Sequence, residues 1–87
     1  MKRSRPEIIS EILGICRNGA NKTRIVYQAN LNFKTINPYL QLLVKNNLIE
    51  SDQGKYKTTE KGAVLLENIN QVNDQLYDNY ESEPMQG

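Results

Sequence analysis

Apolar residues recur every three or four positions in the first part of the chain, a spacing that places them on one face of a helix. The first such pattern covers residues 8–16, and Gly19 follows it as a C-terminal stop. Ser4 and Glu7 have the spacing of a capping box, and Pro6 falls in the first turn, where proline is tolerated. The predicted inward side chains are Ile8, Ile9, Ile12, Leu13, Ile15 and Cys16.

A short helix and a longer one follow, separated by a tight polar turn. The short helix is predicted from about Lys22 to Ala29, with Asn21 as its cap and with Ile25, Val26 and Ala29 buried. Leu31 is expected to turn inward from the connection. Such a pair has the layout of a helix-turn-helix, in which one helix supports a second that can enter the DNA major groove.

The longer helix is predicted from near Asn32, its cap, to Asn46. Pro38 lacks an N–H, so we expect a bend in the helix near this residue. Alternatively, Asn37 and Pro38 start a new, shorter helix of about two turns. The inward stripe is predicted to be Phe33, Ile36, Leu40 and Leu43, with Tyr39 beside it.

Residues 48–58 predict a β-hairpin. Residues 48–51 form one strand, residues 52–54 the turn, and residues 55–58 the partner strand, with positive φ available to Gly54. Alternation directs Tyr56 to one side and the two neighbouring lysines to the other. Thr59 then caps a helix that extends to about Tyr80, and residues 81–87 are predicted to be a disordered tail.

The order of these elements predicts a mainly α fold with a small β-hairpin: a winged helix-turn-helix with a long C-terminal helix. We expect residues 1–58 to form a DNA-binding head and residues 59–80 a dimerisation helix whose start belongs to the same domain. One core should hold Ile12, Ile25, Leu40, Leu43, Leu48 and Leu65.

Charge is divided unevenly along the chain. Residues 1–58 hold ten basic side chains and four acidic ones, whereas residues 59–87 hold one and six. A basic head suits a polyanionic ligand such as double-stranded DNA. The chain has no histidine and a single cysteine, Cys16, so we expect no zinc site, no other metal, no cofactor and no catalysis. We also expect a cytoplasmic protein with no membrane contact, because no apolar run is long enough to cross a bilayer.

Candidate DNA contacts follow from the chemistry of the exposed positions. Asn and Gln can hydrogen-bond to adenine, and Lys to guanine, in the major groove; the candidates are Lys34, Thr35, Asn37 and Gln41. Three residues that open the second helix are candidates for phosphate contacts: Lys22, Thr23 and Arg24. Lys55 and Lys57 flank the hairpin tip, and Arg3 and Arg5 could form an N-terminal arm. The alternative is a winged-helix module whose basic face binds an acidic protein instead of DNA.

The last predicted helix carries an apolar seam. Its residues are spaced four, three, four and four apart, and the first three intervals follow the heptad rhythm of a coiled coil; they are Leu65, Ile69, Val72, Leu76 and Tyr80. Leu65 and Ile69 can instead pack on the head. Beyond Asn70 the helix should extend past the small core, so we expect a homodimer through this seam.

The strings GANKTRIVYQANLNFKTINPYLQLLVKNNLIE and YKTTEKGAVLLENI resemble the winged-helix transcriptional regulators of archaea, over about residues 7–70. The resemblance implies a DNA-binding transcriptional regulator. Within this group the likeness is closest to small DNA-binding proteins that dimerise through a C-terminal coiled coil, which implies an antiparallel homodimer. The matching positions are Ala20, Lys22, Thr23, Ile25, Ala29, Leu31, Asn32, Phe33, Tyr39, Leu40, Leu43, Leu48, Ile49, Thr59, Lys61 and Gly62.

Two positions depart from the family pattern. Asn47 stands where the family often has glycine, and Asn accepts the left-handed conformation that this position requires. Pro38 lies inside the recognition helix, where it affects the path of the helix across the groove.

Overall fold

A computed structural model describes residues 4–71. The elements are α1 (Arg5–Ile15), β1 (Ala20–Asn21), α2 (Lys22–Ala29), α3 (Phe33–Lys45), β2 (Ile49–Asp52) and β3 (Lys55–Thr58), followed by helical residues 60–71, here called α4. The predicted mainly helical fold with a small antiparallel sheet is confirmed. Residues 72–80 of the predicted long helix, and the predicted tail at 81–87, lie outside the described residues.

The sheet has three strands, one more than the hairpin that the sequence predicts. Its order is β1-β3-β2, with both pairings antiparallel. Strand β1 has only two residues, too few for the alternation that marks a strand. The hairpin turn is Gln53–Gly54, with φ of 50° and 79°, the two positive values of a type I′ turn. Asp52 therefore belongs to β2 instead of the turn.

Side-chain caps set the start of each of the first three helices. The Glu7 amide donates to Ser4 Oγ over 3.3 Å, the Arg24 amide to Asn21 Oδ1 over 2.8 Å, and the Thr35 amide to Asn32 Oδ1 over 2.8 Å. The cap at Asn32 starts a helix that continues through Pro38, so the alternative start at Asn37 is wrong. The bend near Pro38 stays a prediction.

Helices α2 and α3 end in the same way. Asn30 and Asn47 have φ of 57° and 61°, and each is followed by a half-buried leucine. The Leu31 amide donates to the Val26 carbonyl over 3.2 Å, and the Leu48 amide donates to the Leu43 carbonyl over 2.9 Å. This is the hydrogen bond of a Schellman motif. The φ of 61° confirms that Asn47 adopts the left-handed conformation.

The core lies between the helices and the inner face of the sheet. Its buried side chains are Ile8, Ile12, Leu13, Cys16, Ala20, Ile25, Ala29, Ile36, Leu40, Leu43, Ile49 and Leu66. The predicted inward position of Phe33 is wrong, because its side chain is 47% exposed. At about 100° per residue Phe33 lies about 60° around the helix from Ile36, at the margin of the inward stripe. The sequence predicts Leu65 in the core, but Leu66 is the buried leucine of this helix. Leu65 and Leu48, both predicted in the core, are half-buried.

Candidate nucleic-acid interface

The outward face of α3 carries four polar side chains at helical spacing. Lys34, Asn37, Gln41 and Lys45 are three or four residues apart, so they form one stripe along the helix. Asn37 is half-buried and the other three are exposed. The stripe combines two amides, which can hydrogen-bond in two directions, with two cations. Lys45 was not predicted as a site residue, although it continues the spacing.

A groove of about 480 Å³ separates this stripe from the hairpin, or wing (β2 and β3). Its lining residues are Lys22, Asn37, Leu40, Gln41, Val44, Lys45, Ser51 and Tyr56. The groove therefore brings together three predicted site residues from two helices. It adds Lys45, Ser51 and Tyr56, whose side chains carry one cation and two hydroxyls and which are not among the predicted site residues.

Strand β1 places the start of α2 beside the wing. Ala20 pairs with Tyr56 and Asn21 with Lys55, and Asn21 is also the cap of α2. Lys22, the next residue, is therefore held against the same strand that carries Tyr56. Because this contact joins distant parts of the chain, only the folded protein reveals it.

The other predicted residues of α2 face elsewhere. Thr23 and Tyr27 are four residues apart on the outer side of the helix, where Tyr27 is 85% exposed. Arg24 is exposed and lies close enough to Cys16 to act on its thiol. Burial raises the pKa of Cys16 to about 11, and the positive charge of Arg24 opposes that rise. Neither Thr23 nor Arg24 lines the groove.

Thr35 lies on the opposite flank of α3 from Asn37. It shares that flank with Tyr39 and Leu42, at spacings of four and three residues. Tyr39 and Leu42 line a second groove of about 330 Å³ against α1, completed by Arg5, Ile9 and Pro38. Arg5 is thus the first residue of α1 and lines an apolar groove, while Arg3 lies outside the described residues.

The two wing lysines face away from α3. Ser51 and Tyr56 are cross-strand partners and both line the groove, so they mark one face of the hairpin. Lys55 and Lys57 alternate with Tyr56 and lie on the other face. There Lys55 is opposite Asp52, and Lys57 is opposite Glu50. Each cation therefore has an acidic neighbour across the strand.

Residues 12–49 contain no Asp or Glu, but they contain five basic side chains: Arg17, Lys22, Arg24, Lys34 and Lys45. This stretch includes α2, the turn and α3, so the whole helix-turn-helix lacks carboxylates. The acids of the head lie in α1 and in the wing. The absence of acids along this stretch is a sequence signal that charge totals for the whole head conceal. Together with the four-residue spacing from Gln41, it points to Lys45.

Other features of the described residues bear on the remaining predictions. Leu65 and Ile69 of the predicted dimer seam are half-buried, whereas Val72, Leu76 and Tyr80 lie outside the described residues. None of the helices within residues 4–71 is long and apolar enough to cross a membrane. The same residues contain no group of three or more metal-ligating side chains that could hold an ion.

Three helices, a wing and a following helix define a winged helix-turn-helix domain. The sequence model of the family described as winged helix-turn-helix matches residues 2–76, and the chain belongs to this family.

Two similar proteins come from the archaeon Methanocaldococcus jannaschii. Uncharacterized protein MJ0290 is 41% identical over 78 residues, and uncharacterized protein MJ0287 is 39% identical over 69 residues. These alignments cover 88% and 78% of this chain. The chain spans only 37% of MJ0290 and 71% of MJ0287.

A solved structure has a similar fold. It is the crystal structure of Sso10a-2, a DNA-binding protein from Sulfolobus solfataricus, with a TM-score of 0.84 and 29% sequence identity. The match covers 95% of this chain and 92% of that chain. The resemblance to archaeal winged-helix proteins that the sequence indicates is therefore confirmed.

Proposed function

We propose that this protein binds double-stranded DNA, with α3 in the major groove. The observation that carries the proposal is the stripe of Lys34, Asn37, Gln41 and Lys45 on the second helix of a helix-turn-helix without carboxylates. The amides supply base-edge contacts and the cations supply phosphate or guanine contacts. Sso10a-2, which has the same fold, is described as a DNA-binding protein, and this supports the proposal.

A salt titration of duplex binding tests the proposal. Fluorescence anisotropy with a labelled duplex should give a log K that falls against log salt with a slope of about −4 to −5, the value for four to six neutralised phosphates. Undetectable binding at about 50 mM salt and tens of micromolar protein would exclude DNA, because even non-specific binders reach roughly 10⁻⁴ to 10⁻⁶ M at physiological salt. That result would favour the alternative, a protein-binding module.

We further propose that the binding is sequence-specific, as a regulator of transcription requires, because the amides of Asn37 and Gln41 can discriminate between bases. Selection from a random duplex pool should enrich a motif with adenine at a defined position. Gln41→Ala should relax the preference at one position, at a cost of about 1–3 kcal/mol for the preferred base. Gln71→Ala removes an exposed amide of α4 and is the matched control. Enrichment of no motif would indicate architectural binding.

Among the predicted DNA contacts, the residues that line the groove have the strongest support. Lys22 has the strongest support among the residues of α2, because it lines the groove beside Asn37 and Gln41. Thr23, Arg24 and Thr35 have less support because they face other directions. Lys55 and Lys57 also have less support, since each is opposite an acid on the far side of the wing.

We also propose that the protein is a homodimer through the seam that begins at Leu65 and Ile69. Asp and Glu predominate after residue 59, so added salt should tighten the dimer while it weakens DNA binding. Sedimentation equilibrium across a salt series measures this, and Leu76→Asp should yield a monomer. A wild-type monomer at about 100 micromolar, far above the Kd of a stable dimer, would exclude the dimer.

A further inference from the structure

We infer that the groove between α3 and the wing holds one backbone phosphate of bound DNA, contacted by Lys22, Lys45 and the Tyr56 hydroxyl, while the outer face of the wing does not contact the DNA. The inference rests on the proposed function, since it names the part of the DNA that this groove receives. It reverses the usual expectation from the sequence, in which the exposed wing lysines, Lys55 and Lys57, supply the backbone contacts.

Charge favours the groove over the outer face of the wing. The groove lining includes two lysines and no carboxylate. The outer face of the wing also has two lysines, but Asp52 and Glu50 are their cross-strand partners. The Cβ atoms of cross-strand partners are about 4.5–5.5 Å apart, and an acid so close to a lysine reduces the local positive potential. A phosphate therefore finds two lysines and no carboxylate in the groove, whereas the outer wing carries as many acidic as basic side chains.

The three proposed phosphate contacts also have unused hydrogen-bonding capacity. Within residues 4–71, the ammonium groups of Lys22 and Lys45 and the Tyr56 hydroxyl form no hydrogen bond or ion pair. Ammonium and phenol groups are donors, and phosphate oxygens accept from such donors. Lys22 and Tyr56 are also half-buried, so their positions are restrained before any ligand binds.

The shape and lining of the groove also suit a sugar and its phosphate. Leu40 and Val44 form an apolar part of the lining, suited to the carbon atoms of a deoxyribose. A volume of about 480 Å³ lies within the usual range of about 300–1,000 Å³ for small-ligand sites, so a sugar and its phosphate have enough room. Asn37 and Gln41 border the same groove, which places base-edge amides next to the phosphate contact.

Substitutions of the full chain test the inference by duplex-binding anisotropy across a salt series. The Lys22→Ala/Lys45→Ala double variant should shallow the slope of log K against log salt by about one unit, the value for one phosphate. Lys55→Ala and Lys57→Ala are matched controls and should leave the slope unchanged. Tyr56→Phe retains the ring and removes only the hydroxyl, so it should weaken binding about tenfold without changing the slope.

A double-mutant cycle tests whether the two lysines share one phosphate. If they do, the fold-loss of affinity in the double variant should be smaller than the product of the two single losses by a factor of at least about two. The free-energy effects of substitutions at interacting groups are not additive. For Lys45→Ala combined with Lys55→Ala, the fold-loss of affinity should equal the product of the two single losses. Equal melting temperatures show that each variant is folded. Lys45→Gln repeats the test with an uncharged side chain that is longer than alanine.

The possible results separate the inference from the proposed function. No DNA binding by the wild type overturns both. Wild-type binding with an unchanged slope in the Lys22/Lys45 double variant overturns the phosphate site alone. A slope shallowed by about one unit in Lys55→Ala or Lys57→Ala overturns the claim that the outer wing stays away from the DNA. Multiplicative losses for Lys22 and Lys45 overturn the shared phosphate.

Discussion

Gly62 is a helical glycine at which alanine should destabilise the protein. It lies in α4 where the helix crosses the chain that leaves α3. A Cβ atom added there would collide with the Leu48 carbonyl oxygen and would lie 2.9 Å from the Thr58 methyl group. The same Leu48 oxygen accepts a hydrogen bond from the Thr59 amide over 3.0 Å. The Leu48 backbone therefore cannot move away without weakening that bond.

The net effect of Gly62→Ala combines opposing terms. Alanine is favoured over glycine inside a helix by about 1 kcal/mol. Overpacking typically costs about 1–3 kcal/mol, and the upper part of that range applies because the opposing atoms include backbone. Weakening the Thr59 hydrogen bond adds about 0.5–1.5 kcal/mol. The steric terms exceed the propensity gain, and we expect the free energy of unfolding to fall by about 2 kcal/mol.

Gly14 supplies the matched control. It lies in α1, is exposed, and has no atom within 4 Å of the position of an added Cβ. Gly14→Ala should therefore stabilise the protein by about 0.5–1 kcal/mol through helix propensity.

Urea denaturation followed by circular dichroism measures both changes. Equal m-values would show that the midpoint shifts reflect stability. At about 4–8 °C per kcal/mol, the melting temperature of Gly62→Ala should fall by about 8–16 °C. If Gly62→Ala matches Gly14→Ala or stabilises the protein, the close approach of α4 to Leu48 is refuted.

Three further perturbations have definite expected outcomes. Leu43→Ala should lower the free energy of unfolding by about 2–5 kcal/mol, whereas its neighbour Leu42→Ala should change it by less than about 0.5 kcal/mol, because their side chains are 1% and 49% exposed; equal effects in urea titrations would contradict this placement of α3. Asn32→Ala should lower the free energy of unfolding by about 1 kcal/mol and Asn32→Asp by much less, because Asp retains the cap; a thermal melt in which the two variants coincide would show that the cap contributes nothing. Because the Cys16 thiol has a pKa of 9.0 when unperturbed and about 11 when folded, its contribution to stability is complete below pH 9 and is lost as the pH rises toward 11; unfolding titrations should show this extra decline in the wild type but not in Cys16→Ala, and parallel pH profiles would refute it.

The amino-acid sequence by itself determined where the first three helices begin. Ser4, Asn21 and Asn32 each accept a hydrogen bond from a backbone amide three residues later. Such interactions are local, so residue type and spacing are sufficient to predict them. The left-handed conformation of Asn47 and the inward positions of Ile36, Leu40 and Leu43 are local in the same sense.

Tertiary structure alone decided which side chains meet across the chain. The two-residue strand β1 has no pattern of its own and exists because it pairs with β3. That pairing holds Lys22 beside Tyr56, while Lys45 reaches the same groove from the end of α3. The sequence predicted Asn37 and Gln41 as base contacts and Lys22 as a phosphate contact, but the groove that they share depends on contacts between distant segments.

The same distinction explains the remaining differences. The periodicity of α3 includes Phe33, but the extent of the core decides that this ring is 47% exposed. Alternation places Lys55 and Lys57 on one face of the wing, but only the register shows that each is opposite an acid. Local hydrogen bonds and helical periodicity thus follow from residues a few positions apart, whereas strand register and the edges of the core depend on how distant segments pack.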